Sequence, residues 1–401
     1  MKKKSSETAI LPAGFLAAGI HCGAKRKRKD LSLIYSEKPC TASALFTRNT
    51  VKAAPVIRGI AQIKRKASLR AVLVNSGNAN CMTGERGLKD CEKMADSLAH
   101  ELGLKAGEVF VSSTGIIGQY MNMKPILKGL KPLVESLSRS GVEDAADGII
   151  TTDGFRKISS RKFMIKGRQV TITGIAKGAG MIKPEMATML AYIMTDAVID
   201  KRTLDKTLSL ATDISFNAIT VDGDMSTNDT VLVMANGMAG NERISGAGVS
   251  AEVFRKNLAA VMEDLSGMIV RDGEGASKFI KVNITGARTH KDAKKVAESV
   301  ADSLLVKCAI AGGDPNWGRI ASSAGASGVK FDPGKMTIKL DNEVFFRKGK
   351  PVPGAKRINS PVFKGRDVKV EVDLAEGPGK AVFYSCDITT KYITLNSFYT
   401  T

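Results

Sequence analysis

Short apolar runs of strand type alternate irregularly with helix-type spacings along the whole 401-residue chain, and no Pro/Gly/Ser-rich linker separates them. That pattern speaks against domains strung like beads and predicts one interwoven body of mixed α and β class, α+β. Strand patterns fall at Ala71–Val74, Val109–Val111, Val170–Thr173 and Thr230–Met234. Leu88, Cys91, Met94, Ala95 and Leu98 share one helical face, the same spacing runs through Val253–Met268, and a further helix is expected over Ala293–Leu304. The C-terminal part reads as a meander of strands at Lys335–Leu340, Glu343–Phe346, Val368–Leu374 and Ala381–Asp387, with Glu376–Gly379 as a turn. Hydrophobic residues make up 43% of the chain, enough to form a core and to exclude disorder as the main state.

No apolar run approaches the ~18 residues of a membrane-spanning helix. Ala9–Ile20 follows the basic start Met1–Lys4 in the manner of a signal peptide, but Pro12, Gly14 and Gly19 interrupt it and no small-residue cleavage site precedes Lys25–Lys29. The six cysteines are scattered without a CxxC pair and read as free thiols of a reducing compartment, so the expected location is the cytoplasm. Three scattered histidines give neither a metal site nor a Ser-His-Asp triad.

The formal charge is +20, and it is lopsided: residues 1–187 carry 32 Lys+Arg against 15 Asp+Glu, the rest 28 against 25. Runs such as Lys25–Lys29 would suit phosphates, yet no aromatic ladder interleaves them, so a solvated basic face that steers anionic small substrates is expected, and no nucleic acid. The glycines of Gly313–Gly318 mimic a phosphate loop, but Arg319-Ile320 stands where Lys and Ser/Thr are required.

Four segments are too rich in glycine and small polar groups to be plain connections: Val111–Gly118, Lys177–Leu190, Ser215–Asp229 and Arg271–Lys278. In Lys177–Leu190 two glycines permit close backbone approach, Pro184 stiffens the loop, and Ala187-Thr188 leads into the strand-like Met189–Met194. Each segment alone reads as a turn, and Thr188 alone as a β-branched residue at a strand start. All of them in one chain, without a metal or nucleotide motif, point to a polar pocket for covalent chemistry.

At these residues the sequence resembles the ornithine acetyltransferase (glutamate N-acetyltransferase) family over essentially its whole length. The resemblance runs through Pro12–Phe15, Ser43–Asn49, Ala53–Val56, Asn75–Asn80, the Thr114-Gly115 turn, Lys177–Leu190, Asn217–Asp229, Asp272–Lys278 and Asp314–Arg319 in the same order. One departure is visible: after Thr151-Thr152-Asp153 the family usually has Thr, an aromatic and Pro, whereas here Gly154-Phe155-Arg156 follow.

The resemblance implies an Ntn-hydrolase-like fold whose chain cuts itself between Ala187 and Thr188, giving fragments 1–187 and 188–401 that stay intertwined. It implies acetyl transfer from N-acetylornithine to glutamate through an acetyl-Thr188 intermediate, in arginine biosynthesis. Thr114 and Gly115 then form the oxyanion hole, and Thr151, Lys177, Thr188, Glu274, Asn396 and Thr401 contact the substrate. No cofactor is implied; acetyl-CoA serves some members as a co-substrate, and two copies of each fragment associate. Two other readings stay open: a self-processing amide hydrolase or aminopeptidase that passes the acyl group to water, and a nucleic-acid binder resting on the charge alone.

Overall fold

A computed structural model describes residues 10–65, 68–183, 189–355 and 362–398. The first sheet is built from β1 Phe15–Ile20, β2 Leu31–Phe46, β3 Leu69–Asn78, β4 Val109–Ile116, β5 Lys157–Ile165, β6 Arg168–Lys177, β7 Leu190–Thr195 and β8 Thr230–Ala235. Its strand order is β4-β3-β2-β8-β7-β6-β5, with β1 also paired to β2. The strands expected at Ala71–Val74, Val109–Val111, Val170–Thr173 and Thr230–Met234 are therefore present, and they are extended by neighbours that alternate less clearly.

Both faces of this sheet are covered, which is why its central strands are apolar throughout rather than on one side. On one face α2 (Gly84–Leu102) and α3 (Met123–Glu135) press Met94, Leu98, Ile126 and Leu130 onto Leu33, Leu73 and Val111. On the other, α4 (Val142–Ile149) lies over Ile34, Val72 and Tyr192. Further along, α5 (Lys201–Asp213) and α6 (Val249–Arg271) pack Leu204, Leu208, Phe254, Val261 and Leu265 against Ile172, Ile193, Val231 and Val233. The remaining N-terminal helix, α1 (Ala54–Lys64), has Pro55 in its first turn, where the missing N–H costs nothing.

The second sheet holds β9 Phe279–Ala287, β10 Thr337–Leu340, β11 Glu343–Arg347, β12 Lys350–Pro351, β13 Asp367–Asp373 and β14 Gly379–Cys386, in the order β12-β11-β10-β13-β9-β14. The C-terminal strands lie where the sequence placed them, but they do not form a meander. β9 inserts between β13 and β14, parallel to the first and antiparallel to the second. Adjacent apolar patterns cannot reveal such a long crossover, because strand order is not encoded in periodicity. The helix expected over Ala293–Leu304 is two helices. α7 (His290–Asp302) stops before Ser303, whose side chain accepts from the Val306 N–H and starts α8 (Leu304–Ala311). With α9 (Trp317–Gly325), these cover one face of the sheet. α10 (Thr390–Phe398) follows β14 and buries none of its residues.

Candidate active site

Strands β4 and β6 of the first sheet end at one cleft, and the segment before β8 lines it. β4 brings Thr114 and Gly115; β6 ends at Lys177; β7 begins just after Met189; β8 begins just after Asp229. The cleft has a volume of about 130 Å³, and six of the residues assigned from sequence line it together: Thr114, Gly115, Thr151, Lys177, Glu274 and Asn396. Ala187, Thr188 and Thr401 lie outside the described residues, which resume at Met189, whose N–H donates to Asp229.

Gly115 is held at φ +133 at the end of β4, and a Cβ there would sit 2.3 Å from the Gly77 carbonyl carbon of β3. Only glycine permits this approach, and the β3–β4 register shifts between Gly77 and Asn78 at the same place. Such a shift re-aims the peptide and the adjacent Thr114 side chain, which is buried. Two donors, a hydroxyl and a backbone N–H, follow each other here as an oxyanion hole requires.

Asp153 joins the next two elements. Its carboxylate accepts from the Thr151 N–H at 3.0 Å, the Gly178 N–H at 2.7 Å and the Lys157 ammonium at 2.6 Å. Lys157 also bonds Asp272 at 2.6 Å, and Asp272 accepts from the Gly154 N–H. Burial opposes ionisation of Asp153, but Lys157, Lys177 and the Gly178 N–H outweigh it and hold the carboxyl at about 2. One ionised carboxylate thus fixes Thr151 beside the Lys177-Gly178 peptide.

Lys177 is buried, and desolvation lowers the pKa of its ammonium while Asp153 and Asp229 resist the shift. Asp229 is pushed well above its ordinary value by burial, only partly offset by the Met189 N–H at 2.9 Å and by Lys177. Its second oxygen has no hydrogen-bond partner among the described residues. Asn228 clamps this segment to β3 and β4, donating to the Ala79 carbonyl at 2.7 Å and the Ser113 carbonyl at 2.8 Å.

The far wall comes from elsewhere in the chain. The Glu274 N–H bonds the Ala179 carbonyl at 2.8 Å, and Asn396 on α10 donates to the Glu274 carboxylate at 3.0 Å. Gly180 lets Glu274 close in, since a Cβ there would meet its carboxylate at 2.7 Å. Asp222 accepts from the Met181 and Ile182 N–H groups and from the Tyr392 hydroxyl. The sequence reading passed over Asp153, Asp222, Asn228, Asp229 and Tyr392 as individuals. The polar density of Ser215–Asp229 was the signal for three of them; Asp153 showed only as part of Thr-Thr-Asp. Among the described residues no cluster of His, Cys, Asp and Glu could hold a metal ion.

The cleft brings a hydroxyl and a backbone N–H donor together with one buried lysine and the carboxylates of Asp222, Asp224 and Glu274, groups of the kind that acyl transfer uses. Residues 16–401 match the ArgJ family model. The chain is 44% identical over 399 residues to the arginine biosynthesis bifunctional protein ArgJ of Bacillus licheniformis, covering 100% of this chain and 98% of that one. It is 42% identical over 390 residues to the protein of that name from Bacillus subtilis, covering 97% and 96%. A crystal structure of the Bacillus halodurans ArgJ protein aligns at 39% identity with a TM-score of 0.50, over 52% of this chain and 98% of that chain. The chain belongs to the ArgJ family. Its activity is the acetyl transfer of arginine biosynthesis, and its α+β architecture is that of the family.

Proposed function

We propose that the acetyl group travels through Thr188, freed as an N-terminal residue when the chain cuts itself between Ala187 and Thr188. The single observation that carries this is the convergence of Thr114, Gly115, Thr151, Lys177, Glu274 and Asn396 on one small cleft. In the first step the Thr188 hydroxyl attacks the Ala187 carbonyl carbon, the peptide C–N bond breaks as the acyl group shifts from N to O and frees the α-amine, and water then hydrolyses the Ala187–Thr188 ester. The new Thr188 α-amine has an ordinary pKa of about 7.7–8.0, so a useful fraction is neutral near pH 7 and takes the proton of its own hydroxyl. N-acetylornithine then acylates the hydroxyl, ornithine leaves, and the glutamate amine takes the acetyl group. Thr114 and Gly115 hold the tetrahedral oxyanion in both halves. Lys177 faces a substrate carboxylate and Glu274 a substrate ammonium. Acetyl-CoA acts as a second donor.

Topology supports the two-fragment reading. β7 and β8 follow the proposed cut, yet they lie in the sheet between β2 and β6, which precede it. The Lys177–Leu190 register joins the two sides of the junction. Fragments 1–187 and 188–401 would therefore share one sheet and remain together. The aligned Bacillus halodurans chain spans about the share of this one that fragment 188–401 would. We also place the enzyme in the cytoplasm as two copies of each fragment; no helix among the described residues is long and apolar enough to cross a membrane.

The test is the denatured mass of freshly purified protein beside Thr188→Ala. Two fragments meeting at Ala187/Thr188, absent in the variant, support the reading. One uncut chain in both overturns it. Loss of N-acetylornithine without appearance of N-acetylglutamate would instead mark an amide hydrolase.

A further inference from the structure

The cleft of about 130 Å³ accommodates an acyl group and a small amino acid, but not a nucleotide-linked donor. A second cavity, of about 570 Å³, lies beside it and shares one wall: Ile150, Asp153 and Gly154 line the second, Thr151 and Thr152 the first. The walls of the second cavity are unlike those of the acyl cleft. Phe155 presents an exposed ring, and Arg28, Lys29 and Arg156 present cations.

Not all of these charges are free. Arg156 is held bidentately by Asp147 and also by Glu143, and Lys29 pairs with Asp144. Arg28 is different. Its guanidinium reaches only the Asp153 carbonyl oxygen at 3.5 Å, and among the described residues no carboxylate pairs with Arg26, Lys27 or Arg28. All three are exposed. The loop that carries them is nonetheless firmly placed. Asp30 accepts from the N–H groups of Cys22, Gly23 and Lys25, and the Lys25 ammonium bonds the Ile150 carbonyl at 3.0 Å. Arg28 itself stands at φ +69, in the left-handed region that residues other than glycine adopt infrequently. A firmly placed loop thus sets Arg28, which no carboxylate among the described residues pairs, on the same cavity as the exposed Phe155 ring, one peptide segment away from the acyl site.

We propose that this second cavity binds a phosphorylated nucleotide: Arg28 meets the phosphates, and Phe155 stacks on the base. Planar guanidinium groups match phosphate oxygens, and an aromatic face accepts any purine ring. Resting on the reading of acetyl-CoA as a donor, the ligand is the 3′-phosphoadenosine end of that molecule. The acetyl group then enters the first cleft across the Ile150–Gly154 wall while the charged end stays outside it. N-acetylornithine has no phosphates and does not use the second cavity.

The experiment uses the full chain as purified, with Arg28→Gln and Phe155→Leu as variants. Adenosine 3′,5′-bisphosphate and, separately, inorganic phosphate are titrated by calorimetry, and KM is measured for acetyl-CoA and for N-acetylornithine. The bisphosphate is expected to bind, to compete with acetyl-CoA, and to leave acetyl transfer from N-acetylornithine untouched. Arg28→Gln is expected to raise KM for acetyl-CoA about tenfold, the loss of one charge-assisted contact, with N-acetylornithine kinetics unchanged as the control for folding. Phe155→Leu should weaken bisphosphate but not inorganic phosphate. Normal acetyl-CoA kinetics in both variants would overturn the proposal while leaving acetyl-CoA as a donor. Inorganic phosphate binding as tightly as the bisphosphate would also overturn it, showing an anion patch without nucleotide recognition. If wild type makes no N-acetylglutamate from acetyl-CoA but binds the bisphosphate through Arg28, the donor reading fails and the nucleotide site stands.

Discussion

The two sheets of this molecule meet the same cleft in different ways. Strands of the first sheet deliver their ends to it: β4 carries Thr114 and Gly115, β6 ends at Lys177, and Asn228 sits two residues before β8. The second sheet delivers no strand end; the loop before β9 gives Glu274 and the helix after β14 gives Tyr392 and Asn396. Residues at the ends of packed strands are fixed within tenths of an ångström, whereas a helix that buries nothing is fixed only by its few polar contacts. The first sheet should therefore set the rate of the chemistry, and the second should set stability and the hold on the substrate.

The largest effect expected is one that leaves the chemistry alone. Phe383 is fully buried at the centre of the second-sheet core, between strands that do not touch the cleft. Phe383→Ala should cost about 3–5 kcal/mol in denaturant unfolding, while kcat per folded molecule stays at the wild-type value. A proportionate fall in kcat would break the division between the sheets. The opposite pattern is expected for Thr114→Ala. Loss of one oxyanion donor should lower kcat by about 10²–10³-fold, or roughly 3–4 kcal/mol, with KM and unfolding little changed.

Five strands of the first sheet were legible as apolar runs, and the Thr114-Gly115 turn and the Lys177–Leu190 segment as strings rich in glycine and small polar groups, whereas the placing of Thr151, Glu274 and Asn396 at the cleft rested on the family resemblance. What stayed hidden depends on partners far along the chain. Asp153 matters because Lys157 and Gly178 reach it, and Asp272 completes the group from more than a hundred residues away. A carboxylate in a turn looks the same whether water or two buried lysines face it. The parallel pairing of β9 with β13 was hidden for the same reason, since its register joins Phe279 to Asp367. The stop at Ser303 was missed because apolar spacing continues straight through it into α8.

Asp153 sharpens the comparison through pH. Its carboxyl sits at about 2 against an ordinary 3.8, a native value that is depressed. Its stabilisation is therefore fully present above the ordinary value and is lost as the pH falls from about 4 towards 2. Asp153→Asn should remove about 2 kcal/mol at neutral pH and flatten the acid limb of the stability curve in that window. Asp229 is shifted the other way, so its contribution is constant over that window and changes only as the pH rises above it. A wild-type acid limb that is as steep in the variant would mean that Asp153 is not ionised in the native protein.

The smallest effect is expected on α10. Asn396 holds the Glu274 carboxylate at 3.0 Å and the Tyr392 carbonyl at 3.1 Å, both near the surface, so losing its amide costs about 1 kcal/mol or less in stability. Glu274 keeps its backbone bond to Ala179, and Thr114 and Gly115 of β4, the proposed oxyanion donors, keep their places. Asn396→Ala should therefore leave kcat near wild type and raise KM for N-acetylornithine several-fold, because an unheld Glu274 must be ordered by the substrate itself. Asn396→Asp sets one carboxylate against another and should raise KM further, whereas Asn396→Gln, which keeps the amide, should recover part of the loss. If Asn396→Ala instead lowers kcat as steeply as Thr114→Ala does, the wall supplied after the second sheet takes part in the chemical step, and the separation of roles between the two sheets fails at the cleft.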